Sequence, residues 1–235
     1  MGGRVEDRSR EWFVPKRGPK WVRLLIGLSF WPYTVMNASY VVIGSLLAGN
    51  IYYDRLGGMT LVYVLAVGLA AHSLDAMGPN KPWGDYLNRR RLFGLTLAGL
   101  VPALVLGMYY AVTVAPILIP LGCIELFFLL AYNLEWFRGF FHGDFWFATS
   151  WGFLPVLVGY AVQSDTLSLV SLAGGLFGFA SAFVEINASR PYKALKKESE
   201  RDSSGTAARL ESILKGIVTC VVAAAVLLLA LALSR

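Results

Sequence analysis

Seven long apolar runs leave this chain few ways to fold. They cover roughly residues 22–48, 59–77, 92–112, 114–132, 146–163, 167–186 and 212–233. A helix needs about 20 apolar residues to cross the hydrocarbon core. Lipid offers a backbone N–H or C=O no partner, so each run must satisfy its own backbone as a helix. Only 15% of the 235 residues are charged, against about 25% in soluble domains. The runs also lack the polar face of a soluble helix. The expected fold is all-α: an integral membrane helical bundle of about seven transmembrane helices. A basic cytoplasmic segment, 1–21, precedes one transmembrane domain, 22–235, which carries a basic cytoplasmic loop at about 188–211.

Charge orients this bundle. Basic residues lie in the N-terminal segment, in the second loop (Lys81, Arg89, Arg90, Arg91), in the fourth (Arg138) and in the sixth (Arg190, Lys193, Lys196, Lys197, Arg201, Arg209, Lys215). These segments alternate along the chain and hold every Lys and Arg except Arg55 and Arg235. The positive-inside rule then puts the N-terminus in the cytoplasm of a multi-pass plasma-membrane protein, with the C-terminus outside. The same charge suits contact with anionic membrane lipids, and nothing supports nucleic-acid binding. No apolar core with a cleavage site opens the chain, so no cleavable signal peptide is expected. Cys123 and Cys220 fall inside apolar runs and read as small buried hydrophobes.

The remaining polar residues gather on the cytoplasmic side. His72 and Asp75 end the second run, three residues apart and so on one side of the helix terminus. Tyr132, Asn133, Glu135 and Arg138 end the fourth, with His142 and Asp144 following in the same loop. Glu185, Asn187 and Arg190 end the sixth. Helix ends on one face of a bundle can converge, and sites in bundles are built from facing helices. Singly, these residues also suit caps and turns: His72 at a helix C-terminus, Asp75 before Gly78-Pro79, Asp144 at a helix start. Glu125 differs, because it lies midway along the fourth run, where a carboxyl is costly and reads as functional. Asn37, at similar depth, is one candidate partner; a protonated Glu125 bonded to a neighbouring helix is the plainer alternative. Asn50 to Asp54 falls in an outer loop, opposite the other carboxylates, and reads as an interfacial turn with aromatic anchors. A retinal protein is excluded, since Lys215 starts the last helix instead of sitting midway along it.

In its order of motifs the chain resembles the UbiA superfamily of membrane prenyltransferases. The resemblance covers about residues 22–190. Phe30-Trp31-Pro32 through Ala48 is similar to that family's opening helix. His72-Ser73-Leu74-Asp75 stands where the first Asp-rich motif follows the second helix, and Glu185-Ile186-Asn187-Ala188-Ser189 where the second follows the sixth. Tyr132 is similar in position to a conserved tyrosine, and Phe141 to Pro155 looks like a divergent prokaryotic branch. The repeated aspartates are reduced to Asp75 and Glu185, and nine helices are usual in the family.

The resemblance implies transfer of an isoprenoid chain from an allylic diphosphate to a lipid-soluble acceptor. Asp75, Glu185, Tyr132 and Glu125 are then the candidate catalytic residues. Lys81, Arg138 and Arg190 would hold the diphosphate, with Asn133 and Asn187 as further substrate contacts. Mg²⁺ takes one or two carboxylates plus phosphate oxygens, which Asp75 and Glu185 would supply. Glu135, Asp144, His72 and His142 complete the candidate metal ligands. Imidazole suits Zn or Fe better, so a transition metal stays open. Two other classes fit: a different membrane metalloenzyme, and a non-catalytic lipid-binding, transport or assembly protein.

Overall fold

The computed structural model describes residues 11–77, 87–197 and 205–234, and every regular element among them is a helix. A short α1 (Lys20–Leu28) and α2 (Trp31–Leu46) are followed by α3 (Tyr53–Asp75) and α4 (Arg89–Thr113). Then come α5 (Leu118–Asn133), its bent continuation α6 (Trp136–His142) and α7 (Asp144–Ser164). The last two are α8 (Leu169–Lys197) and α9 (Thr206–Leu233). Five of these, α3, α4, α7, α8 and α9, are long and apolar enough to cross a membrane. The pair α5–α6, bent by 83°, makes a sixth if it counts as one span.

The first apolar run is not the single helix that its composition predicts. It breaks at Phe30, a left-handed residue with φ of 43°, and α2 restarts with Pro32 in its first turn. Proline fits there because its missing N–H is unpaired in any helix start. The Thr34 hydroxyl donates to the Ser29 carbonyl at 2.6 Å and satisfies a backbone group that the break exposes. The 16 residues of α2 reach about 24 Å at 1.5 Å per residue, less than the ~30 Å core. Apolar content hid this break, since apolar residues run on both sides of it.

Small residues set the tightest crossings. A Cβ on Gly44 would run into the Val156 carbonyl, and one on Gly159 into the Val41 backbone, so α2 and α7 touch main chain to main chain. Ser45 donates to the Gly159 carbonyl at 2.9 Å across the same contact. Gly152 and Gly178 do the same for α7 and α8. Such approaches drive helix association where lipid removes the hydrophobic incentive. The hydroxyls of Tyr40 and Ser181 meet at 2.7 Å between α2 and α8.

Two stretches are π-helical, residues 66–71 of α3 and 149–153 of α7. A π turn leaves carbonyls misaligned for the usual i+4 donor. The Asn37 amide fills one gap, donating to the Trp151 carbonyl at 2.7 Å. Cys123 and Cys220 are exposed, contrary to the buried placement expected for them. They lie on outward helix faces beside other exposed apolar side chains, where a small apolar thiol suits acyl chains as well as a core.

Candidate functional site

The ends of α3, α5 and α8 meet around Tyr132. The Tyr132 ring is buried and stacks on His142 at 4.3 Å between centroids. The bend after Asn133 brings His142 there. Glu135, Phe137 and Arg138 take left-handed backbone angles with Gly139, and so turn the chain back on α5. His142 Nδ1 lies 3.0 Å from the Tyr132 carbonyl, which closes the loop onto the helix it left.

Arg190 of α8 joins this loop. One guanidinium nitrogen pairs with Asp144 at 2.8 Å, another donates to the His142 carbonyl. It also reaches the Tyr132 hydroxyl, and the carboxylates of Asp75 and Glu185 lie within electrostatic range of that hydroxyl. Glu185 is 5% exposed; Ser189, one turn on, hydrogen-bonds it, and Lys193 and Arg190 oppose its charge. Tyr33 of α2 is close to both Glu185 and Ser189. His72 packs its ring against Phe30 at 5.0 Å, and the Lys193 ammonium sits 5.0 Å above the same Phe30 ring. Residues from α2, α3, α5, α7 and α8 therefore share one end of the bundle.

Of the expected site residues, Asp75, Tyr132, Glu185, Arg190, His142 and Asp144 are brought together, with His72 at the edge. Glu135 and Arg138 are exposed on the bend. Asn133 is buried and donates to the Leu129 carbonyl of its own helix at 2.7 Å, and Asn187 does likewise with Phe183 at 2.8 Å. Lys81 lies outside the described residues. Glu125 finds a partner other than Asn37: the Tyr63 hydroxyl donates to it at 2.7 Å. Asn37 is engaged instead by the π turn at Trp151.

Tyr33 and Lys193 belong to the site and carried no motif, and Ser189, the last residue of the stretch likened to the second motif, was not singled out within it. Lys193 and Ser189 follow Arg190 and Glu185 at helical spacings of three and four, which is the one signal that could have found them. Among the described residues no three His, Cys, Asp or Glu side chains gather as a metal-ligand set. A Mg²⁺ held by one or two carboxylates and substrate oxygens does not require such a trio. Asp75 and Glu185, both within electrostatic range of the Tyr132 hydroxyl and Glu185 with Lys193 and Arg190 near it, are a hard-oxygen donor set that fits that case.

The fold and this site define an all-helical protein with apolar helices long enough for a membrane and a polar, mixed-charge centre at one bundle end. No family model, curated protein or solved structure matches the chain.

Proposed function

We propose that the chain is a UbiA-like membrane prenyltransferase, with seven crossings and a cytoplasmic N-terminus. The observation that carries this reading is that Arg190 of α8 hydrogen-bonds the Tyr132 hydroxyl of α5 while the carboxylates of Asp75 on α3 and Glu185 on α8 lie within electrostatic range of it. Carboxylates and a guanidinium around one buried point suit a diphosphate and its counter-cation. The surrounding helices supply an apolar environment for an isoprenoid tail.

In the proposed reaction the allylic C–O bond breaks and its electron pair leaves with the diphosphate. The nucleophile of a lipid-soluble acceptor bonds to the freed carbon, and the proton it sheds departs at the wet mouth with the diphosphate. Arg190 and Lys193 hold the phosphoryl oxygens. Asp75 and Glu185 would hold Mg²⁺, which when bound neutralises the leaving group. Tyr132, held by His142 and Arg190, presents its ring and hydroxyl to the carbon that becomes cationic. Glu125 and Tyr63 lie deeper and bear on acceptor use or packing.

The test is binding of geranyl diphosphate to the purified protein with and without Mg²⁺. Wild type should bind only with Mg²⁺, while Asp75→Asn and Glu185→Gln should lose binding and stay folded. Wild-type protein indifferent to the ligand in both conditions sinks the reading and favours a lipid-binding or assembly role. Stoichiometric Zn or Fe in the purified protein would favour a different metalloenzyme.

A further inference from the structure

Residues 11–14 pack against residues that border the site although they precede the first helix. Val14 is 4% exposed, as buried as a core residue. The Phe13 ring packs on Phe30 at 5.8 Å and on Tyr33 at 6.2 Å, the same two aromatics that border His72 and Glu185. Trp12 inserts beside Ala188, Tyr192 and Leu214, with the Lys215 ammonium 5.4 Å from its ring. Glu11 pairs with Lys196 at 3.6 Å, and its side chain is only 13% exposed. Just behind, Arg23 Nε donates to the Pro15 carbonyl at 2.8 Å. Gly18 then takes φ of 121°, which a side chain would resist, between Lys16-Arg17 and Pro19. The arrangement is a strap: aromatic residues hold it down, an acidic residue latches it, and a glycine forms its hinge.

The latch is anionic and sits on a basic rim. Lys193 and Lys196 lie along one end of α8 with Arg190, and Glu11 occupies the outermost of these cations. Its charge also bears on Tyr33, as does that of Glu185. An anion entering the site meets Glu11 as a competitor for Lys196 and as a repelling charge.

We propose that residues 11–14 form a closing strap over the site, latched by Glu11 on Lys196, and that the diphosphate group of the ligand releases it by taking over the basic rim. This rests on the diphosphate reading above and adds to it a gate. Such a ligand binds against the latch, so its apparent affinity is lowered by the fraction of closed strap.

The experiment measures binding of inorganic pyrophosphate and of geranyl diphosphate, each with Mg²⁺, to the full chain in nanodiscs. Glu11→Gln should bind both about fivefold tighter than wild type, the scale of a half-buried ion pair. Phe13→Ala, which loosens the strap without changing charge, should shift affinity the same way. Saturating ligand should speed amide exchange across residues 11–17 in wild type, starting with Val14, whose N–H bonds the Glu11 carbonyl at 3.0 Å. Release by pyrophosphate alone places the trigger in the head group, and release only by geranyl diphosphate adds the tail to it. Unchanged affinity in both variants, or unchanged exchange at saturation, overturns the strap and leaves the site reading intact. A wild type that binds neither ligand overturns both.

Discussion

Arg190 and Asp144 pair at 2.8 Å between α8 and the first residue of α7. The pair fixes the loop that carries His142 to the helix that carries Glu185. Both side chains are partly exposed, at 41% and 31%, so the bond itself adds under about 1 kcal/mol. Its value is positional.

Arg190→Lys and Asp144→Asn should therefore separate stability from binding. Both variants should melt within a few degrees of wild type. Arg190→Lys loses the fork that spans Asp144, the His142 carbonyl and Tyr132, and should weaken geranyl diphosphate binding by tenfold or more. Asp144→Asn should weaken it less. Equal loss from both, with a large drop in melting temperature, would mean that the pair serves the fold alone.

The glycine crossings should be the least tolerant points of the bundle. Gly44→Ala and Gly159→Ala each drive a methyl into main chain, and should cost about 1–3 kcal/mol. Gly107→Ala and Gly122→Ala meet open space and should be neutral or slightly stabilising. Thermal unfolding in detergent reads all four. Equal melting temperatures across the set would refute the close α2–α7 contact.

The Tyr63–Glu125 bond should matter for packing and leave the site alone. Tyr63→Phe is expected to cost about 1 kcal/mol, near the usual range for a hydrogen bond between membrane helices. Glu125→Gln keeps an acceptor and should cost less. Neither should change affinity for geranyl diphosphate, as titration of the purified variants will check; a tenfold change in either would draw Glu125 into the head-group site.

Topology is open to labelling. With Cys123 and Cys220 replaced by Ser, single cysteines at Asp54 and Asp165 should react with a membrane-impermeant maleimide added outside intact cells, and one at Thr206 should not. Reaction at Thr206 would reverse the orientation.

Most of the helices were readable because a long apolar run has one physical outcome in lipid, as α4 and α9 illustrate, but among the described residues only five of the seven runs gave helices long enough to cross, six with the bent α5–α6 pair. The clustering of Asp75, Tyr132, Glu185 and Arg190 was readable from their common place at the ends of runs. What could not be read was local geometry inside apolar sequence. Nothing in Leu28-Ser29-Phe30-Trp31 announces a left-handed residue. Tyr63 and Glu125 are 62 positions apart, so no spacing rule pairs them. Trp12 and Phe13, in a charged segment outside the expected bundle, carried no sign that they pack against it.

The π turn at 149–153 sets the phase of α7. A π turn amounts to one residue more than an α-helix needs, and one residue turns a helix by about 100°. Deleting a single residue there would keep every apolar side chain of residues 154–164 in place. It would swing the opposite end about the helix axis and carry Asp144 away from Arg190. The Asn37 amide, by holding the Trp151 carbonyl, keeps that extra residue from being squeezed out. A buried asparagine on α2 thus indexes the aim of an aspartate two turns of α7 away from the carbonyl it holds.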